Sequence, residues 1–392
     1  MGKLVVLMFT AFVDMVGFAM VIPLIPFYAT QMGATGFVVG VLISAFSVAQ
    51  LLSAPVWGRF SDRYGRRPAI LTGLLVSAAA YIGFALANSI TILLIARLVQ
   101  GFGGGTVGVL QAYVADATNN EDRAKSLGWL SAATSFGVVV GPAFGSLLTA
   151  MWGHTAPGLA AAVLCCGISA FAWRFLRESR TQDHSVQTAT PLASRDALWR
   201  VITHGAEPAS RLIVIYALAI GAFYGTIPLV PLLLSDRFGV TERTVGYFFM
   251  YFGLMGVVIR AAMLGPLVRA LKEARLSRLG LVLLASGLTL CAVSASYLTL
   301  FLSFTLMALG TAFLFPCVTA LLSRVVPARE RGLQMGVQQT FGGISRVAFP
   351  MFTGLVLDRL GPGVPFAVAG VLVLATLTLT SALEEYMAPA PA

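Results

Sequence analysis

The chain has 392 residues, of which 58% are hydrophobic and only 11% are charged. Soluble domains carry about 25% charged residues, so this composition belongs in a bilayer and excludes an ordinary soluble enzyme or binding module. A formal net charge of +10 would suggest nucleic acid in a soluble chain, but here the charges mark loops between apolar runs and no nucleic-acid partner is expected.

Apolar runs predict twelve helices, at 4–28, 37–57, 69–87, 91–114, 126–150, 157–176, 211–234, 242–264, 279–296, 299–322, 333–356 and 365–383. Crossing a bilayer takes about 20 residues, and most of these runs are that long. The expected class is therefore an all-α integral membrane protein with the lipid bilayer as its surroundings. The first run contains Asp14, followed by Gly17 and the pair Pro23 and Pro26. Of the sixteen acidic residues, only Asp14 lies well inside a predicted helix. A central aspartate costs about 2.5–3.5 kcal/mol to insert, so an idle one is not expected.

Between the second and third runs lies Gly58-Arg59-Phe60-Ser61-Asp62-Arg63-Tyr64-Gly65-Arg66-Arg67. It reads as a loop of about ten residues in which two glycines turn the chain and Asp62 accepts from arginines or a helix N-terminus. The fourth run carries Arg97, Gln100, the glycines 101, 103, 104, 105 and 108, and then Gln111 and Tyr113. No strand precedes these glycines and no Walker lysine follows, so close helix packing is the better reading than a phosphate loop. The fifth run holds Gly137, Gly141, Pro142 and Gly145 at four-residue spacing, a surface for close packing with a bend at the proline.

A polar segment, 177–210, separates six predicted helices (1–176) from six more (211–392), and one surface helix is expected near 194–201. Beyond it, Tyr216, Phe223 and Tyr224 lie on the seventh run, and Arg260 sits near the expected end of the eighth, where it would snorkel. The eleventh run carries Arg346 with Gln339, Gly342, Gly343 and Pro350 on one face. Gln111, Tyr113, Tyr216, Tyr224, Gln339 and Arg346 are the candidates for lining a substrate cavity.

The halves repeat. Pro23 and Pro26 recur as Pro228 and Pro231, Gly40 as Gly246, Gly58 as Gly265, and Arg123, Gly128 and Pro142 as Arg331, Gly336 and Pro350. Parallel repeats with a ligand site near the midplane are a transporter architecture. Most lysines and arginines fall on one side of the alternating runs, which makes both termini and the central segment cytoplasmic. Cys165, Cys166, Cys291 and Cys317 lie in apolar runs and read as core residues rather than disulfides or metal ligands. His154, His184 and His204 all fall in loops, leaving Asp14 the group able to hold and release a proton.

Gly58-x-x-x-Asp62-Arg63-x-Gly65-Arg66-Arg67 resembles the signature between helices 2 and 3 of the major facilitator superfamily. Arg97-x-x-Gln100-Gly101 resembles that family's arginine motif, and Asp116-Ala-Thr with Glu121-Asp122-Arg123 its following loop. Gly137-x-x-x-Gly141-Pro142-x-x-x-Gly145 resembles the pattern of its antiporters. Asp14, Gly17 and the two prolines resemble helix 1 of drug:proton antiporters, tetracycline exporters in particular. Ala79 and Ala80 stand where tetracycline exporters carry a further carboxylate, which separates this chain from their substrate chemistry.

The resemblance implies a proton-coupled efflux antiporter in the cell membrane, a monomer whose partners are protons and a small amphipathic molecule. Neither cofactor nor metal is implied, and no nucleophile–base pair suggests an enzyme. Asp14 and Arg97 would form the coupling pair. Helix rise puts them within about 5 Å in depth, and arginine cannot deprotonate, so Asp14 is the member that switches. The residues 58–67 and 137–145 would serve the conformational cycle, with Asp62 latching the cytoplasmic ends of the halves. The rival reading is a facilitator or metabolite exporter of the same fold without proton coupling. A receptor is disfavoured because the central segment, about 34 residues, is short for a recognition domain.

Overall fold

The structure, a computed structural model, describes residues 3–179, 191–327 and 329–380. Among the described residues ten helices are long and apolar enough to cross a membrane, and a shorter apolar one follows them. In chain order they are α1 (Leu4–Gln31), α2 (Gly36–Tyr64), α3 (Arg66–Ala85), α4 (Ile90–Ala117), α5 (Glu121–Trp152) and α6 (Thr155–Phe175). After a linker helix, Pro191–Thr203, comes α7 (Pro208–Phe238). The next run, Val245–Val293, has 49 residues and would be about 73 Å long if straight, more than twice a hydrocarbon core. It is not one helix: Lys272 has φ 61° and ψ 161°, outside the helical region. The break divides it into α8 (245–271) and α9 (273–293). Then follow α10 (Tyr297–Val325), α11 (Arg331–Leu360) and α12 (Val364–Thr380).

Helix starts follow local chemistry. Thr35 and Ser89 accept from the amides of Val38 and Ile92, and Ser296 with Thr299 forms a capping box at α10. The proline pairs act alike at both places they occur. Ile22–Leu24 and Ile227–Leu229 are each a 3-10 turn that bends its span between two α-helical pieces.

Contacts divide the chain into two compact units, residues 1–185 with 228–253, and residues 186–227 with 254–392. In the first unit α1 packs on α5 and α6, α3 on α4 and α6, and α2 on α4. Its core at one end joins Leu7, Ala11, Trp57, Ile70, Leu74, Tyr113, Val114 and Ile168. In the second unit α7 packs on α11, and α9 on α10 and α12. The linker helix is amphipathic, with Ala197 and Val201 buried and Trp199 and Ile202 exposed.

Two expectations are corrected here. Residues 58–67 are not a ten-residue loop. α2 runs helically to Tyr64 and α3 begins at Arg66, so Gly65 alone turns the chain, at φ 107° and ψ 159°. Gly58 lies inside α2 with open space where its Cβ would stand, so it makes no turn. Arg260 is also not near a helix end. It begins a π-helical turn, Arg260–Leu264, twelve residues before the break at Lys272.

Candidate proton-coupling site

Asp14 projects from α1 and is half-buried. Among the described residues its carboxyl makes no hydrogen bond and no ion pair. Its helix is held by α5. A Cβ at Gly137 would stand 2.6 Å from the Phe12 carbonyl oxygen, at Gly141 2.7 Å from that of Val16, and at Gly145 2.4 Å from that of Met20. The antiporter-like glycines are therefore a groove that seats the backbone of α1 on both sides of Asp14. Pro142 and Ser146 on the same helix meet the start of α8. The Ser146 hydroxyl donates to the Glu242 carbonyl and accepts from the Gly246 amide, each at 2.8 Å.

Arg97 on α4 is almost fully buried, 2% exposed. The expected Asp14–Arg97 ion pair is not among the described contacts. Its Nε donates to the Leu42 carbonyl at 3.3 Å, its Nη1 donates to Gln100 Oε1, and its Cζ lies 4.8 Å from the centre of the Phe46 ring. α2 supplies two of these three partners, which turn the guanidinium to its own side of the unit. Gly101 explains the proximity, since a Cβ there would come within 2.3 Å of the Phe46 carbonyl oxygen. Phe46 in turn meets Phe18 of α1, ring centres 5.0 Å apart, four residues past Asp14.

Tyr81 on α3 lies within electrostatic reach of both the carboxyl and the guanidinium. It is buried, with its ring 3.6 Å from the position a Cβ would take at Gly17. Its phenol lies within electrostatic reach of Asp14, Arg97 and Cys165 and faces the Gln100 amide, whose Nε2 has no partner at hydrogen-bond distance. The site is thus a titratable carboxyl and a fixed cation that share the neighbourhood of one phenol, with the Gln100 amide beside it. Sequence reasoning quoted Gln100 only as part of a motif and missed Tyr81. The one available signal was a tyrosine inside an otherwise apolar run.

At the Gly65 turn, Arg66 is the hub. It donates to Asp62 at 2.6 Å, Asp116 at 3.0 Å and Ser61 at 2.5 Å. Asp62 has a 66% exposed side chain and, among the described residues, pairs only with Arg66 one turn on. The N-terminus of α3 is taken instead by Glu178, whose two oxygens accept from the amides of Arg66 and Arg67 at 2.9 and 3.0 Å. A Cβ at Gly65 would strike that carboxylate at 2.5 Å, a second reason for glycine there. Glu178 was not singled out from the sequence. Arg67 donates to the Trp173 carbonyl, and Arg63 lies over the ring of Tyr64.

The cavity candidates scatter. Tyr113 is fully buried and its hydroxyl donates to the Arg177 carbonyl at 2.5 Å, so it anchors the end of α6 rather than lining a cavity. Gln111 is exposed, as is Gln339. Tyr216 and Tyr224 lie on α7 facing α11. Tyr216 fills the space beside Gly342 and packs edge-on against Phe315, and the Arg346 guanidinium lies 5.5 Å from the Tyr224 ring centre. Four of the helix 4 glycines are packing surfaces as expected, Gly101 and Gly104 against Phe46, Gly103 against Ser77, and Gly105 against Ser53 and Trp57, whereas Gly108 has open space where its Cβ would stand.

Comparison with known proteins places this geometry. The model of the Major Facilitator Superfamily matches residues 7–276 and again 212–390. Multidrug resistance protein 2 of Bacillus subtilis (strain 168) is 27% identical over 385 residues, 97% of this chain and 95% of its own length. Tetracycline resistance protein, class C, of Escherichia coli is 30% identical over 359 residues, 89% of this chain and 88% of its own. The fold recurs in solved structures of lower identity. The nucleoside transporter NupG gives a TM-score of 0.78 at 12% identity, covering 99% of this chain and 100% of that one. The human organic anion transporter MFSD10 (TETRAN) gives 0.69 at 23%, covering 96% and 98%. With the family's motifs seated as α1–α5 packing, the Arg66 hub and the buried Arg97, this multi-pass membrane chain belongs to the Major Facilitator Superfamily.

Proposed function

We propose that this protein exports small amphipathic molecules, drugs among them, in exchange for protons, by alternating access. The observation that carries the reading is Asp14, a carboxyl well inside a span that has no hydrogen-bond or ion-pair partner among the described residues and shares Tyr81 as a neighbour with Arg97. Arg97 donates to Leu42 and Gln100, so it stands near that carboxyl as a fixed cation rather than as its bonded partner. A carboxyl in such a place can gain or lose a proton as helices move and change its access to water and to that field. Relatives named for multidrug, tetracycline and quinolone resistance support the substrate class.

In this reading the chain makes twelve crossings, six in 1–176 and six in 211–392, with 177–210 as the linker. It works as a monomer in the cell membrane with both termini in the cytoplasm. The glycine groove of α5 and the Arg66 hub serve the conformational cycle, Asp62 included. The test uses purified protein in proteoliposomes under an imposed pH gradient. Wild type should concentrate a drug substrate against its gradient, and Asp14→Asn should insert normally yet only equilibrate it. Uphill transport by Asp14→Asn would overturn proton coupling at this residue.

A further inference from the structure

The second unit holds a group of charges that the coupling site does not use. Arg346 of α11 is half-buried, makes no hydrogen bond or ion pair among the described residues, and has its Nε buried without a partner. Its one neighbour of note is Tyr224, over whose ring its guanidinium lies at 5.5 Å. Arg260, first residue of the π-helical turn in α8, lies within electrostatic reach of the same tyrosine and also has no acidic partner among the described residues.

Helix rise puts the three at matching depth. Arg346 is about 22 Å along α11 and Tyr224 about 24 Å along α7, and Arg260 is about 18 Å before the break that ends α8. Two acids of this unit are engaged elsewhere, Glu207 with Arg200 and Glu273 with Arg324. The contrast with Arg97 is direct. That arginine meets two neutral acceptors and a ring, whereas Arg346 has no hydrogen-bond acceptor among the described residues. An arginine inside a span needs a partner, and π-helical turns recur at functional sites because they redirect a side chain from the regular ladder. A planar guanidinium recognises oxyanions in two-point fashion, and a phenol beside it adds one more donor.

We infer that Arg260, Tyr224 and Arg346 form a subsite for the anionic group of an amphipathic ligand, a carboxylate, sulfonate or phosphate. The inference rests on the transport reading for why a ligand reaches the site, though not for the site's chemistry. Lipid phosphate and a soluble anionic substrate share that chemistry, and the test separates them.

The probes are dansylglycine, which carries a carboxylate, and its uncharged amide, titrated by fluorescence into purified full-length protein without a pH gradient. Wild type should prefer the acid. Arg346→Gln and Arg260→Gln should each weaken the acid by about tenfold or more and leave the amide unchanged. Arg346→Lys should recover part of the loss, and it guards against a Gln variant that fails to fold. Repeating the titration in nanodiscs of phosphatidylcholine, with and without phosphatidylglycerol, assigns the occupant. Competition by phosphatidylglycerol that the Gln variants abolish makes it a lipid phosphate, and no competition makes it a soluble anion. The inference is overturned if wild type binds the acid no better than the amide, or if both probes weaken together in the variants. A protein that keeps the acid preference but fails to pump against a gradient would sink the transport reading and leave the subsite standing.

Discussion

Replacing Gly141 should damage transport through α1, and the size of the effect can be worked from distances. A Cβ on residue 141 would lie 2.7 Å from both Ala19 Cβ and the Val16 carbonyl oxygen, whereas ordinary contact begins at 3.4 Å. Even alanine therefore requires α1 to withdraw by about 0.7 Å, since two of the three nearest atoms belong to its backbone. Overpacking of this kind costs about 1–3 kcal/mol, and the better helix propensity of alanine returns up to about 1 kcal/mol. Gly141→Ala should therefore be mildly destabilised, by about 0–2 kcal/mol on those figures. Gly141→Leu adds a branched side chain in the same place and should displace α1 further. Asp14 lies five residues before Ala19 on that helix, and a misplacement of about 1 Å can cost about 100-fold in rate. Gly128 provides the control on the same helix, because nothing lies within 4 Å of its Cβ position and Gly128→Ala should be neutral or slightly stabilising. The assay is initial transport rate in proteoliposomes at equal protein content, with resistance to denaturant followed by tryptophan fluorescence. Wild-type turnover and stability in Gly141→Leu would refute the argument.

Further outcomes can be stated from the same contacts. Tyr81→Phe should keep its packing yet shift the pH dependence of transport, because the hydroxyl within electrostatic reach of both Asp14 and Arg97 is removed; an unchanged pH profile would take Tyr81 out of the site. Glu178→Ala strips two charge-assisted bonds from the N-terminus of α3, so amide exchange at Arg66 and Arg67 should speed up, with a loss of about 1–3 kcal/mol in local opening energy. Tyr113→Phe removes the bond to the Arg177 carbonyl and should cost about 1 kcal/mol of stability, measurable by denaturant titration, without changing substrate affinity. Asp62→Asn leaves Arg66 its bond to Asp116, so stability should fall by less than about 1 kcal/mol; a transport defect larger than that loss explains would point to a role in the conformational cycle.

The sequence alone determined the class of the protein, the recurrence of its proline pairs and most span ends to within a few residues, although α2 and α8 each run seven residues further than expected. Those features follow from hydrophobicity and from residues whose backbone chemistry is local. A charge-free run has to be helical in lipid, proline bends a span where it stands, and the Ile-Pro-Leu turns appear where the prolines recur. It also marked Asp14, Arg97 and the α5 glycines, because a charge or a small residue in an apolar run is conspicuous without any partner being known. What it could not decide was which groups meet. The depth arithmetic allowed Asp14 and Arg97 to pair, yet depth says nothing about rotation, and α2 claims the guanidinium through Leu42 and Phe46. Asp62 was expected to accept from arginines or from a helix N-terminus; it pairs with Arg66, and Glu178, some 110 residues away, caps α3 because α6 ends beside it. Tyr113 looked like a cavity residue and is an anchor. Arg260 looked like a helix end, until the break proved to lie at Lys272. Each of these was settled by the azimuth of one helix against another, which depends on the packing of residues far apart in the chain and has no signature in any one stretch of it.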